Sequence, residues 1–193
     1  MYKAQLPIGK VDGLVLAVES PMNLHICTVD MFEKFTEFTT VVETVAATAA
    51  PVTEVKIGDL VLACVDDFWY RARVLEVENQ HAVTLDVFDV AMMVKGYKKA
   101  GVRKASTQIA EFPVLASKCI LQSWVGKDEG EAEEKFGAKI KELMEIYGQI
   151  EAEVMEVGDV TKIKIPSVEE KLNPAPGPAL SRAELLKMKL KKS

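Results

Sequence analysis

Positions 13–18 form a short apolar run, interrupted by Glu19, Ser20 and Pro21, after which Leu24, Ile26 and Thr28 alternate with His25 and Cys27. A run of this length and a period of two both fit strands. The period then changes. Met31, Phe35, Phe38, Val42, Val45 and Ala49 recur at three- and four-residue steps, on one face of a helix that Pro51 closes. The interior of that helix is rich in Thr and Val, which are weak helix formers.

From residue 55 to 90 the pattern returns to short strands. Residues 57–65 read as a strand opened by a Gly-Asp turn, Asp66 and Asp67 form a tight acidic turn, and residues 68–77 and 82–88 alternate on either side of Glu78, Asn79 and Gln80. Strands at this spacing, joined by brief polar turns, predict a small barrel. Residues 116–121 read as another strand. A helix follows the polar turn at 126–130, with Phe136, Ile140, Leu143 and Tyr147 as its apolar stripe, Glu131, Glu133 and Glu134 in its first turn and Gly148 as its stop. Gly158 and Asp159 separate residues 150–157 from 160–165 and predict a hairpin. Residues 173–178, with three prolines, read as a linker. Ser181 and Glu184 form a capping box before a last, basic helix containing Arg182, Lys187, Lys189, Lys191 and Lys192. That helix either covers the edge of its own domain or docks on a partner.

Charge and cysteine usage narrow the chemistry. The 193 residues carry 24 Lys and Arg against 29 Asp and Glu, a net charge of -5, which argues against a general nucleic-acid binder. No run of about 18 apolar residues spans a membrane, and the N-terminus has no apolar signal core. Cys27, Cys64 and Cys119 are odd in number and set among apolar neighbours, as expected of reduced thiols in a cytosolic or nuclear compartment. His25 and His81 sit near no Cys or carboxylate at ligand spacing, and no CxxC, HxxxH, GxGxxG or GxSxG occurs. The expectation is therefore a binding module with no catalytic residues, metal or cofactor.

The middle of the chain carries a specific signature. Gly58-Asp59-Leu60-Val61-Leu62-Ala63, followed by Trp69-Tyr70-Arg71-Ala72-Arg73-Val74, resembles the opening of a Tudor domain. Val87-Phe88-Asp89-Val90-Ala91-Met92 falls where that family carries an F-I-D-Y-G-N-like segment, and Phe112, Pro113, Ala116, Cys119 and Leu121 resemble the stretch after the barrel. The flanking elements resemble the extended Tudor arrangement over residues 10–172. The resemblance implies an α+β, mainly β fold: an SH3-like Tudor barrel inserted into a staphylococcal-nuclease-like, OB-type lobe, the two joined by a long helix. The expected segments are 10–50 (nuclease-like lobe and linker helix), 51–110 (Tudor barrel), 111–172 (the rest of the lobe) and 173–193 (linker and basic helix). It also implies a protein that binds arginine-rich tails of PIWI-type Argonaute proteins, commonly bearing symmetrically dimethylated arginine, in cytoplasmic, perinuclear germ granules (nuage) of the piRNA silencing pathway.

In that family a methylated guanidinium is held between aromatic rings by stacking and cation–π attraction, with a side-chain amide at the rim. Mapped onto this chain, the four ring positions fall at Cys64, Tyr70, Val87 and Val90, the amide at Met92 and the signature glycine at Ala91. One ring survives. In that family the Trp before the retained Tyr points into the barrel, in keeping with strand alternation, so the resemblance implies that neither Trp69 nor Phe68 substitutes.

Two readings follow. In one, the cleft between barrel and lobe binds an unmethylated arginine, with Asp66, Asp67 and Asp86 as carboxylate partners. Asp66 and Asp67 are equally explained as turn formers, and Asp89 is better explained as a structural acceptor. In the other, the domain is a scaffold that self-associates, with Met92 and Met93 as an adaptable apolar patch. Calcium-dependent nuclease chemistry has no matching set of acids and arginines. Direct RNA binding would rest on Lys95, Lys98, Lys99, Arg103 and Lys104, expected in a solvated loop and short helix after the barrel.

Overall fold

The computed structural model describes residues 6–172; the linker and basic helix expected over 173–193 lie outside the described residues. The chain begins with the hairpin β1 (Gly9–Ser20) and β2 (Asn23–Thr28), then the 20-residue helix α1 (Val29–Thr48). Strands β3 (Leu60–Val65), β4 (Phe68–Glu76), β5 (Ala82–Val87), β6 (Met92–Lys98) and β7 (Arg103–Lys104) come next, followed by the short α2 (Thr107–Glu111). The chain then runs through β8 (Ser117–Leu121), α3 (Glu129–Leu143), β9 (Gln149–Glu156), β10 (Thr161–Lys164) and α4 (Pro166–Leu172).

The strands form two sheets. β1-β2-β8-β10-β9 close into a barrel, antiparallel except for the β8–β10 pair, while β6-β5-β4-β3-β7 form a second, five-stranded sheet from the intervening segment. Strand β1 is longer than its apolar run because its first half pairs with β9 and its second half with β2. That run is unbroken because both faces are buried. Val15 and Val18 point into the closed barrel with Leu24, Ile26, Leu121 and Ile163, while Leu14 and Leu16 point the other way, onto α1. A bulge after Val15 resets the alternation so that Val18 returns to the interior.

Helix α1 is the seam. Thr28 caps it by accepting the Met31 N–H at 3.3 Å, and Phe35, Phe38, Val42 and Ala46 pack against Leu14, Leu16 and Cys27 of one lobe and Leu62 of the other. The threonines that weaken its propensity turn their hydroxyls back onto helix carbonyls: Thr36 to Phe32 and Thr44 to Thr40. The second sheet has its own core of Val61, Ala63, Ala72, Val74, Val83, Leu85 and Val87.

Two expectations are corrected. Helix α3, capped by Asp128, ends at Leu143, so Tyr147 is not part of its stripe; Ile140 is buried as expected, with Ala132 and Gly137, while Phe136 and Leu143 pack half-buried against the same core. Gly137 lets the helix pack closely on β1, since a Cβ there would lie 3.1 Å from the Glu19 carbonyl oxygen, a tight contact. The basic cluster is not a loop after the barrel: Lys95 and Lys98 lie on β6, and Arg103 and Lys104 on β7. Among the described residues no helix is long and apolar enough to cross a membrane.

Candidate functional site

Asp66 and Asp67 both adopt left-handed backbone (φ 49° and 68°), so β3 and β4 are joined by a tight two-residue turn with Val65 opposite Phe68. The resulting register puts Ala63 opposite Tyr70 and Val61 opposite Ala72, and Tyr70 and Ala72 pack with the inner face of the sheet. Trp69 takes the other face. It packs with the α1 cluster instead of pointing into the barrel, and the Arg103 guanidinium lies 5.9 Å from its ring centroid.

Two residues further on, Arg71 is fully buried on that same outer face. Its Nε and Nη2 donate to the two carboxylate oxygens of Asp89, and its remaining N–H groups reach the carbonyls of Ile109, Phe112 and Pro113. Phe38, Phe88 and Phe112 surround the guanidinium at 5.0–5.4 Å. Asp89 also accepts the Leu115 N–H at 3.0 Å. This network ties the inserted sheet to α1 and to the segment returning to the closed barrel.

Beside it, a cleft of about 250 Å³ opens between the lobes. Helix α1 contributes Phe32, Phe35, Thr36, Thr39 and Glu43; β4 contributes Phe68, Trp69 and Tyr70; the β5–β6 turn contributes Val90; the α3–β9 connection contributes Tyr147. Six of these ten residues are aromatic, one is a carboxylate, and none is a lysine or arginine. Phe68 is 59% exposed and Tyr147 58% exposed. Burial raises the Tyr70 hydroxyl above its ordinary pKa, with Tyr147 and the Asp66 carboxylate adding to the effect.

Of the cage positions read from the sequence, the structure brings Tyr70 and Val90 to the cleft. Val87 is fully buried in the sheet core, and Met92, opposite it in register, packs against the same core. Cys64 lies opposite Trp69, its backbone N–H donating to the Tyr97 hydroxyl at 2.9 Å. Asp66 and Asp67 are exposed at the turn and do not form the cleft wall. Asp86 is opposite Arg73 and Met93, half-buried; burial raises its carboxyl pKa, and Arg73 opposes that shift. Asp89 is the structural acceptor. The cleft residues not anticipated as part of a site are Phe32, Phe35, Thr36, Thr39, Glu43, Phe68, Trp69 and Tyr147. Phe32, Thr39 and Glu43 follow helical steps of seven and four, a stripe beside the apolar one. Tyr147 has no comparable signal.

A five-stranded sheet inserted into a closed OB-type barrel, with a cleft where they meet, defines an extended Tudor architecture. The Tudor domain family model matches residues 7–123, and the chain belongs to that family. No curated protein sequence matches it. Among solved structures it is similar to the human TDRD1 extended Tudor domain in complex with a symmetrically dimethylated peptide, with a TM-score of 0.71, 21% identity, and 85% of this chain and 83% of that chain covered. The mouse TDRD1 domain TD3 in complex with a MILI peptide containing dimethylarginine matches with a TM-score of 0.71, 19% identity and 85% and 86% coverage. The Drosophila melanogaster Papi extended Tudor domain, in complex with a Piwi N-terminal peptide, matches with a TM-score of 0.68, 18% identity and 93% and 96% coverage.

Proposed function

We propose that this chain is a non-enzymatic protein-interaction module that binds an unmethylated, arginine-containing tail of a PIWI/Argonaute-type protein in the cleft between its lobes, within cytoplasmic, perinuclear germ granules. The observation that carries this reading is the make-up of the cleft: aromatic surface and the Glu43 carboxylate, with no cationic lining residue. Rings attract a guanidinium by cation–π contact, and a carboxylate accepts its N–H groups, two of which symmetric dimethylation would replace with methyls. The ring positions that would enclose the methyl groups hold Cys64, Val87 and Val90 beside Tyr70, and of those three only Val90 lines the cleft. The complexes formed by the related domains with MILI and Piwi peptides support the class of partner.

Calorimetry with matched arginine–glycine peptides, unmodified and symmetrically dimethylated, tests the proposal. The unmodified peptide binds at least as tightly; a clear preference for the dimethylated one refutes it. A self-associating scaffold is the second reading. It draws on Met93, 60% exposed on the edge strand β6, and predicts a concentration-dependent dimer in sedimentation.

A further inference from the structure

Tyr147 is the least comfortable residue in the site. It follows the end of α3 with φ 62°, a left-handed conformation that bulky residues rarely adopt. The backbone around it is pinned: the Tyr147 N–H donates to the Val15 carbonyl at 2.7 Å, the Val15 N–H donates to the Gly148 carbonyl at 3.1 Å, and the Gly148 N–H closes a turn onto Glu145 at 2.9 Å. Gly148 is needed for a separate reason, since a Cβ there would lie 2.8 Å from the Glu145 carbonyl oxygen. The glycine suited to left-handed backbone is thus one position away, and a tyrosine occupies the strained place.

Core packing does not explain that choice. The Tyr147 side chain is largely exposed and belongs to none of the three buried clusters. Its ring faces the cleft instead, with its centroid 6.0 Å from that of Phe32 and the planes tilted by 50°. Across the cleft stand Phe68 and Tyr70 of the inserted sheet, and Glu43 supplies the charge. Strain kept at an exposed ring that lines a cleft is the signature of a residue held for binding.

We infer that Tyr147 is a specificity-determining wall of the peptide site: with Phe32 it supplies, from outside the Tudor barrel, aromatic surface that Cys64, Val87 and Val90 do not provide, and it clamps an arginine side chain against Phe68 and Tyr70. This rests on the peptide-binding reading above. The occupant is a guanidinium because the walls are aromatic and acidic, and no lining residue carries a positive charge. Recognition then draws on both lobes, and the OB-type lobe reads the ligand as well as supporting the barrel.

The test uses the 193-residue chain and an unmodified arginine–glycine repeat peptide, with Tyr70→Ala marking the cleft. Tyr147→Ala loses about tenfold in affinity, whereas Tyr147→Phe, which keeps the ring, stays within about twofold of the parent. Tyr147→Gly loses affinity like the alanine variant while its unfolding temperature is unchanged or higher, because the strain is relieved and little buried surface is lost. If the parent binds and Tyr70→Ala weakens it while Tyr147→Ala does not, the inference is overturned and the cleft reading stands. A lower melting temperature for Tyr147→Gly together with intact binding also overturns it. If the parent binds no peptide, both fall.

Discussion

The Arg71 guanidinium and the Asp89 carboxylate form a two-pronged fork, both buried, joining the second strand of the inserted sheet to the turn after its third. The pair is neutralised internally, and each partner's spare capacity is used by backbone of the segment leading back to the closed barrel. Removing either partner strands a buried charge. Arg71→Met and Asp89→Asn are each expected to lower stability by about 3–5 kcal/mol in urea denaturation. Arg71→Lys does not rescue, because an ammonium cannot make the fork or fill the space between Phe38, Phe88 and Phe112.

Ala91 holds a left-handed backbone (φ 53°) at the position where the resembled signature carries glycine. An L-residue there costs about 1–2 kcal/mol, partly offset by the greater chain entropy that glycine loses on folding. Ala91→Gly is therefore expected to raise the denaturation midpoint, by about 0.5–1 kcal/mol in free energy.

Val87 and Val90 occupy equivalent places in a sequence-level cage and opposite places in the structure. Val87→Tyr forces a ring into the fully buried core of the sheet and is expected to cost about 1–3 kcal/mol of stability. Val90→Tyr adds its ring to the cleft, with less effect on stability, and raises affinity for a dimethylarginine peptide. Thermal melts and calorimetry on the two variants separate these outcomes.

Thiol reactivity follows burial. The thiols of Cys27 and Cys119 are pushed up to about 12 by burial, whereas Cys64 is half-buried at the end of β3. A thiol reagent at pH 8 is expected to titrate no more than one cysteine in the native protein and three after unfolding.

His25 gives the fold a pH dependence. Burial, with Lys118 adding to it and Glu19 opposing, lowers its pKa below 6.5, so folding favours the neutral ring. Between the lowered folded value and 6.5 the unfolded chain binds more protons, so this contribution is complete above 6.5 and is lost as pH falls through the folded value. Denaturation at pH 7.5 and 5.5 should show the loss, and His25→Gln should reduce it.

The architecture was legible because its determinants are local and repetitive. The strand patterns marked β3, β4 and β5 of the sheet though not β6 and β7, two acidic residues marked a two-residue turn, and three- and four-residue steps marked α1. The signature around Trp69, Tyr70 and Arg71 carried the family. Alternation also said that Trp69 and Tyr70 face opposite ways, but not which faces inward. That depends on pairing with β3 and on which side α1 covers, both long-range facts.

The cleft was less legible for the same reason. Its walls come from α1, from β4 and from Tyr147, segments distant in sequence that meet only when the closed barrel and the inserted sheet dock across one helix. Tyr147 fits a helical stripe as a string of letters. Its actual direction is set by a helix that ends at Leu143 and by a left-handed turn bonded to Val15. Periodicity records which residues share a face of one element; which faces meet, and around what opening, follows from the packing of all the elements together.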